Sequence, residues 1–138
     1  MAEHAHLVWE PREELRFSVT FDGGARLPLV SPATEEGPNP VELVLGALGG
    51  CGAMDVISIL RKKRQSVVRY EVEVRGERRR EHPRVFTRIE VVHRVHGHQV
   101  SPEAVAEAIR LSDTKYCSVH GMLEATAQIV SRFEIHPA

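Results

Sequence analysis

Two thiols, Cys51 and Cys117, stand 66 positions apart and are the only cysteines in the chain. A free cysteine can pack as a small hydrophobe, ligate a metal as its thiolate, or act as a nucleophile and redox centre. Cys51 lies in LGALGGCGAMDV, flanked by glycines, with Asp55 one helical turn further on. Cys117 lies in DTKYCSVHGMLEATA, near the expected start of a helix, where unpaired N–H groups and the helix dipole favour a thiolate. His120 follows three residues later and shares a helix face with it, placed to line a pocket and tune the thiol or contact substrate. Cys117, His120 and a distant Cys51 would offer zinc donors. A structural zinc site wants four protein ligands at closer spacing, so no metal is expected. Asp55, a carboxylate in an apolar helix, needs a partner: an arginine, a backbone group, or a place at a subunit interface. His93, His96 and His98 close a strand without an accompanying acid and read as a solvated turn.

The elements that position these residues follow from periodicity. His4 to Glu10, Leu15 to Phe21 and Ala25 to Val30 read as short strands, separated by Pro11-Arg12-Glu13-Glu14 and by the hairpin signal Asp22-Gly23-Gly24. Arg16, Ser18 and Thr20 alternate with Phe17, Val19 and Phe21, as on a sheet with one wet face. After a Pro- and Gly-rich loop, Val41 to about Arg64 reads as one long helix. Asn39 is the N-cap, Pro40 the first helical residue, and Arg61 to Arg64 the basic end. This helix is apolar nearly all round, so it is expected to be central and buried. Its length also suits a membrane span, but four glycines and Asp55 argue against one. Gly46, Gly49, Gly50 and Gly52 imply a close approach of another helix, a second copy or a ligand.

Ser66 to Arg79 and Arg84 to His98 form an antiparallel hairpin. Ser101-Pro102 opens a helix to about Leu111, Ser112-Asp113-Thr114 is a break, Tyr116 to Ala127 is another helix, and Gln128 to His136 a last strand. The order βββ-α-ββ-α-α-β gives an α+β fold in a single domain over residues 1–138.

Composition limits the partners. The chain of 138 residues carries 18 Lys plus Arg against 19 Asp plus Glu, a formal charge of −1, which argues against nucleic-acid binding. The run GERRREHPR is interrupted by acids and reads as a solvated hairpin tip. Two cysteines exclude a disulfide-stapled scaffold, and the charged N-terminal residues lack the apolar run of a signal peptide, so a cytoplasmic location is expected.

The stretch GPNPVELVLGALGGCGAMDVISIL, the later DTKYCSVHGMLEATA, and the strand-helix order between them resemble the OsmC/Ohr family of osmotically induced and organic hydroperoxide resistance proteins, most of all its YhfA-type branch. The resemblance implies an intertwined homodimer with long central helices crossing between antiparallel sheets. It implies a thiol peroxidase that reduces organic hydroperoxides and hydrogen peroxide without a cofactor. Cys51 would be the peroxidatic thiol, Cys117 the resolving one, and an external dithiol, often lipoyl-type, the reductant.

Active members of the family supply an N-terminal arginine held by a Glu directly after the N-P dipeptide, and here Val41 occupies that place, with the acid one residue later at Glu42. In a regular helix Glu42 lies about 180° from Cys51, and position 41 about 80°. Glu42 can serve a partner's site or simply complement the helix dipole. Arg12, Arg16 and Arg26 are the candidate cations. Arg16 is preferred because a second-strand side chain can reach the seam between sheet and helix. The competing reading is a redox-sensing or small-molecule-binding protein that kept both thiols but lost the activating Arg-Glu pair.

Overall fold

A computed structural model describes residues 1–12 and 15–138. The chain forms two compact units, Met1–Val44 and Leu45–Ala138. In the first, β1 (Ala5–Trp9), β2 (Arg16–Phe21) and β3 (Arg26–Val30) make an antiparallel sheet in the order β1-β2-β3. Leu7 opposes Val19, and Phe17 opposes both Trp9 and Leu29, so the apolar set of the alternating pattern shares one face. The β2–β3 turn falls on the Asp-Gly-Gly signal, with Gly24 at φ +88°, a conformation that costs glycine nothing. Glu13 and Glu14, in the turn expected between β1 and β2, lie outside the described residues.

α1 (Pro40–Lys62) starts where the N-P dipeptide places it. Asn39 Oδ1 accepts the Glu42 N–H and Glu42 Oε1 accepts the Asn39 N–H, each at 2.9 Å, a reciprocal capping box. In the second unit β4 (Ser66–Arg78) and β5 (Phe86–His98) pair antiparallel, and β6 (Gln128–Pro137) pairs parallel with β5. The second sheet is therefore mixed rather than antiparallel as expected, because β6 arrives through the crossover that a parallel neighbour requires. That crossover is supplied by α2 (Pro102–Leu111), a π turn (Ser112–Tyr116) and α3 (Ser118–Leu123). Ser101 caps α2 through its hydroxyl, as the Ser-Pro signal implied.

The helix order is the one expected, but two details differ. The expected break after Leu111 is a π turn continuous with α2, closed by the Cys117 N–H donating to Ser112 O at 2.8 Å. α3 is also shorter than the apolar pattern implied, ending at Leu123 before a turn.

The core lies between the helices and one face of the β4-β5-β6 sheet. One cluster gathers Val56, Leu60, Val95, Val105 and Ile109, and a second gathers Leu48, Ile89, Val91, Cys117 and Ala127 with Cys51 packed against it. α1 is less enclosed than its composition suggested. Leu48, Gly49, Val56 and Leu60 are buried, while Met54 is 73% exposed. Gly49 explains itself within the chain, since a Cβ there would stand 2.8 Å from Val74 Cγ2, whereas among the described residues a Cβ at Gly46 or Gly50 would meet nothing within 4 Å. By length and composition alone α1 could cross a membrane.

Candidate functional site

The site is assembled by α1 and by the π turn leading into α3. Cys51 and Asp55 are four residues apart on α1 and so share a face. The π turn, a local widening of the helix that recurs at functional positions, carries Ser112 at one end and delivers Cys117 at the other. As a result the Cys51 Sγ, the Cys117 Sγ and a carboxylate oxygen of Asp55 all lie within 4.8 Å of one another. Two residues far apart in sequence thus meet, and a third joins them.

The half-buried Asp55 has found the partner that a carboxylate in an apolar helix requires. It is neither an arginine nor a backbone group: the Ser112 hydroxyl donates to Asp55 Oδ2 at 2.9 Å, and Ser112 is only 1% exposed. Asp55 also lines an open cleft of about 300 Å³ with Ser58, Ile59, Lys62, Leu111 and Tyr116. The carboxylate is thus close to both sulfurs and borders the open cleft.

The two thiols are not equivalent. Cys51 is half-buried, whereas Cys117 is 6% exposed. Cys117 is the N-cap of α3, its sulfur accepting the His120 N–H at 3.4 Å. That contact favours the thiolate, as the helix-start position suggested, but burial outweighs it. Burial, together with hydrogen bonding to Cys51 and the charges of Cys51 and Asp55, pushes the Cys117 thiol up to about 11. Cys117 is thus held protonated near neutral pH, against the expectation of a thiolate.

His120 is buried, on the short helix that Cys117 caps. Its Nδ1 stands 3.4 Å from Glu124 Oε2, without hydrogen-bond alignment. It is not part of the group formed by Cys51, Asp55 and Cys117. Arg16 and Glu42 belong to the N-terminal unit, and both have partners there. Arg16 Nε donates to Glu10 Oε2 at 3.0 Å and its Nη1 to Glu36 Oε2 at 2.6 Å. The Glu42 carboxylate is held in the capping box with Asn39.

One polar pair was missed in the sequence. His93, read as a solvated strand end, is 2% exposed and its Nδ1 is hydrogen-bonded to Tyr70 OH at 2.7 Å. β4–β5 pairing sets Val72 opposite His93 and Tyr70 opposite Val95, so both polar rings fall on the core face. The residue two before it on β5, Val91, is apolar and shares that face, a phase that could have assigned His93 inward. Burial lowers the His93 pKa and raises that of Tyr70, with the Asp113 charge pushing both up. Tyr70 also lines an open groove of about 450 Å³ along the glycine face of α1, between Gly46, Gly49, Gly50 and Val74.

The chain has relatives in sequence and in fold. The pattern of the OsmC-like protein family matches residues 33–132, a stretch that contains both cysteines, Asp55 and Ser112. Protein YhfA of Escherichia coli strain K12 is 43% identical over 123 residues, covering 89% of this chain and 92% of that protein. A protein of Aquifex aeolicus VF5 superposes with a TM-score of 0.89 at 30% identity, over 100% of this chain and 98% of that one. The organic hydroperoxide resistance protein OhrB of Bacillus subtilis shares the fold at 14% identity, with a TM-score of 0.63 over 97% of this chain and 98% of that one. In sequence, in element order and in fold, the chain belongs to the OsmC-like protein family.

Proposed function

We propose that the protein is a thiol-dependent peroxidase that reduces organic hydroperoxides and hydrogen peroxide through Cys51 and Cys117. The observation that carries this reading is the meeting of the two sulfurs within 4.8 Å across 66 residues of sequence. The half-buried Cys51 attacks the distal peroxide oxygen. The O–O bond breaks, the thiol becomes a sulfenic acid, and the alcohol leaves with the thiol proton. Cys117, buried and protonated, then displaces hydroxide from the sulfenic sulfur, giving a disulfide and one water. Forming that bond, at about 2.05 Å, requires the sulfurs to approach by up to about 2.8 Å.

An external dithiol, such as a lipoyl group, returns the pair to thiols by exchange. The site works in the cytoplasm and in a homodimer. Supporting the homodimer are the open glycine positions Gly46 and Gly50 and, in the N-terminal unit, the exposed apolar side chains Leu7, Trp9 and Leu15.

A second reading is favoured by one observation. The charged group beside the two sulfurs is the carboxylate of Asp55, which opposes a thiolate rather than stabilising it. A slow redox sensor or a small-molecule-binding protein would carry such a site.

Mass spectrometry after one equivalent of cumene hydroperoxide tests the proposal. Wild type should lose two hydrogens in a Cys51–Cys117 linkage. Cys117→Ser should carry a dimedone adduct on Cys51, and Cys51→Ser should carry none. An adduct on Cys117 in Cys51→Ser, with Cys51 unmodified in Cys117→Ser, would overturn the assignment.

A further inference from the structure

The same three side chains have a second chemistry that needs no peroxide. Two cysteine sulfurs and a carboxylate oxygen, all within 4.8 Å of one another, form a donor set suited to a borderline-soft divalent cation. Zinc binds sulfur at about 2.3 Å and carboxylate oxygen at about 2.0–2.2 Å, which sets tetrahedral sulfurs about 3.8 Å apart. The observed spacing therefore exceeds the ideal by at most about 1 Å, a distance that rotation about a cysteine χ1 covers.

The surroundings of the donors are also those of a ligating set. Ser112, itself buried, fixes Asp55 through a hydrogen bond to Oδ2, as the groups behind metal ligands do. The His120 N–H fixes the Cys117 sulfur from behind. Cys51 and Asp55 are presented from consecutive turns of one rigid helix. The three ionisable groups are all acidic, so their fully deprotonated form places three negative charges together, and a dication offsets two of them. The open cleft beside Asp55, with Ser58, Lys62 and Tyr116 on its wall, gives an entry path. Three protein ligands leave a fourth position for water or an exogenous ligand, the pattern of an exchangeable rather than a structural zinc site.

We propose that the reduced protein binds one divalent zinc-like cation through Cys51, Asp55 and Cys117, and that a Cys51–Cys117 disulfide abolishes this binding. The site differs from the zinc set considered from sequence, because Asp55 and not His120 supplies the third donor. It stands independently of peroxidase activity, since it requires only the thiols in reduced form.

Anaerobic titration of the full-length reduced protein with cobalt(II), followed by zinc displacement, tests it. Wild type should bind one equivalent per chain, with thiolate-to-cobalt charge-transfer absorption in the near ultraviolet and the intense visible bands of tetrahedral cobalt. Cys51→Ser and Cys117→Ser should each lose most of the charge-transfer intensity. Asp55→Asn, which keeps the shape and an acceptor for Ser112, should weaken zinc at least about tenfold in chelator competition. Wild type oxidised with diamide should bind none, a result that does not depend on any variant folding. Absence of charge-transfer bands in reduced wild type, undiminished affinity in Asp55→Asn, or binding that survives in the disulfide form would each overturn the proposal.

Discussion

Joining Cys51 to Cys117 should stabilise the protein by an amount that the chain itself sets. The cross-link closes a loop of 66 residues. On the loop-entropy relation this removes about 15 cal/mol/K from the unfolded ensemble, or about 4 kcal/mol at 25 °C. Native strain works against it. The sulfurs must close from within 4.8 Å to bonding distance, and Cys117 gives up part of its 3.4 Å contact with the His120 N–H. A net gain of about 2–4 kcal/mol remains. For 138 residues the unfolding entropy near the midpoint is about 290 cal/mol/K, so Tm should rise by about 7–14 °C. The assay is scanning calorimetry on the reduced protein, on protein oxidised with one equivalent of hydroperoxide, and on the oxidised sample after dithiothreitol. Cys117→Ser, which cannot form the bond, should show no rise. An oxidised sample that has lost two hydrogens by mass yet melts at or below the reduced one would rule out this gain. The two sulfurs would then not be positioned to join without distorting the fold.

Three other expectations concern the elements around the site. Gly49→Ala should destabilise by up to about 2 kcal/mol, because a Cβ 2.8 Å from Val74 Cγ2 overpacks by more than the roughly 1 kcal/mol of helix propensity it gains. Gly46→Ala and Gly50→Ala meet nothing within 4 Å among the described residues and should raise stability in urea melts, yet weaken the proposed self-association in sedimentation equilibrium. Unchanged association in both would mean that the glycine face is not the dimer contact. Ser112→Ala should cost about 1–3 kcal/mol in urea unfolding, since it removes a hydrogen bond to the half-buried Asp55 carboxylate, and a neutral effect would contradict that hydrogen bond's role. His93, with its pKa lowered by burial, is neutral in both states above about pH 6.5. As pH falls the unfolded chain takes up its proton first, so stability drops by at most about 1.4 kcal/mol per unit between 6.5 and the folded value. Urea unfolding from pH 7.5 to 5 should show a steeper loss in wild type than in His93→Phe, and equal slopes would contradict a buried neutral His93.

Much of this organisation is written in local signals. Asn39-Pro40 and Ser101-Pro102 mark helix starts because capping is decided by a few adjacent residues. Strand alternation gives the faces of β2, β4 and β5 because side-chain period is a property of one strand. The pairing of Cys51 with Cys117 is not local, and only the resemblance to a known family brought it forward. Asp55 was recognised as a carboxylate in need of a partner. The partner itself, Ser112, follows from a π turn where the sequence suggested only a break, and single-turn hydrogen-bond shifts leave no compositional mark. His93 was misplaced because three closely spaced histidines look solvated, although its phase with Val91 puts it on the core face. The long helix was expected to be enclosed all round. Composition reports that an apolar face needs cover, but not whether the same chain supplies it.

Whether Cys51 acts as the proposed peroxidatic thiol is decided by the rate at which the reduced protein reacts with an organic hydroperoxide in stopped flow. Cys51 should be oxidised far faster than a free thiol at the same pH, with the same first phase in Cys117→Ser and none in Cys51→Ser. A Cys51 rate no greater than that of the free thiol would mean that Cys51 is not a peroxidatic thiol.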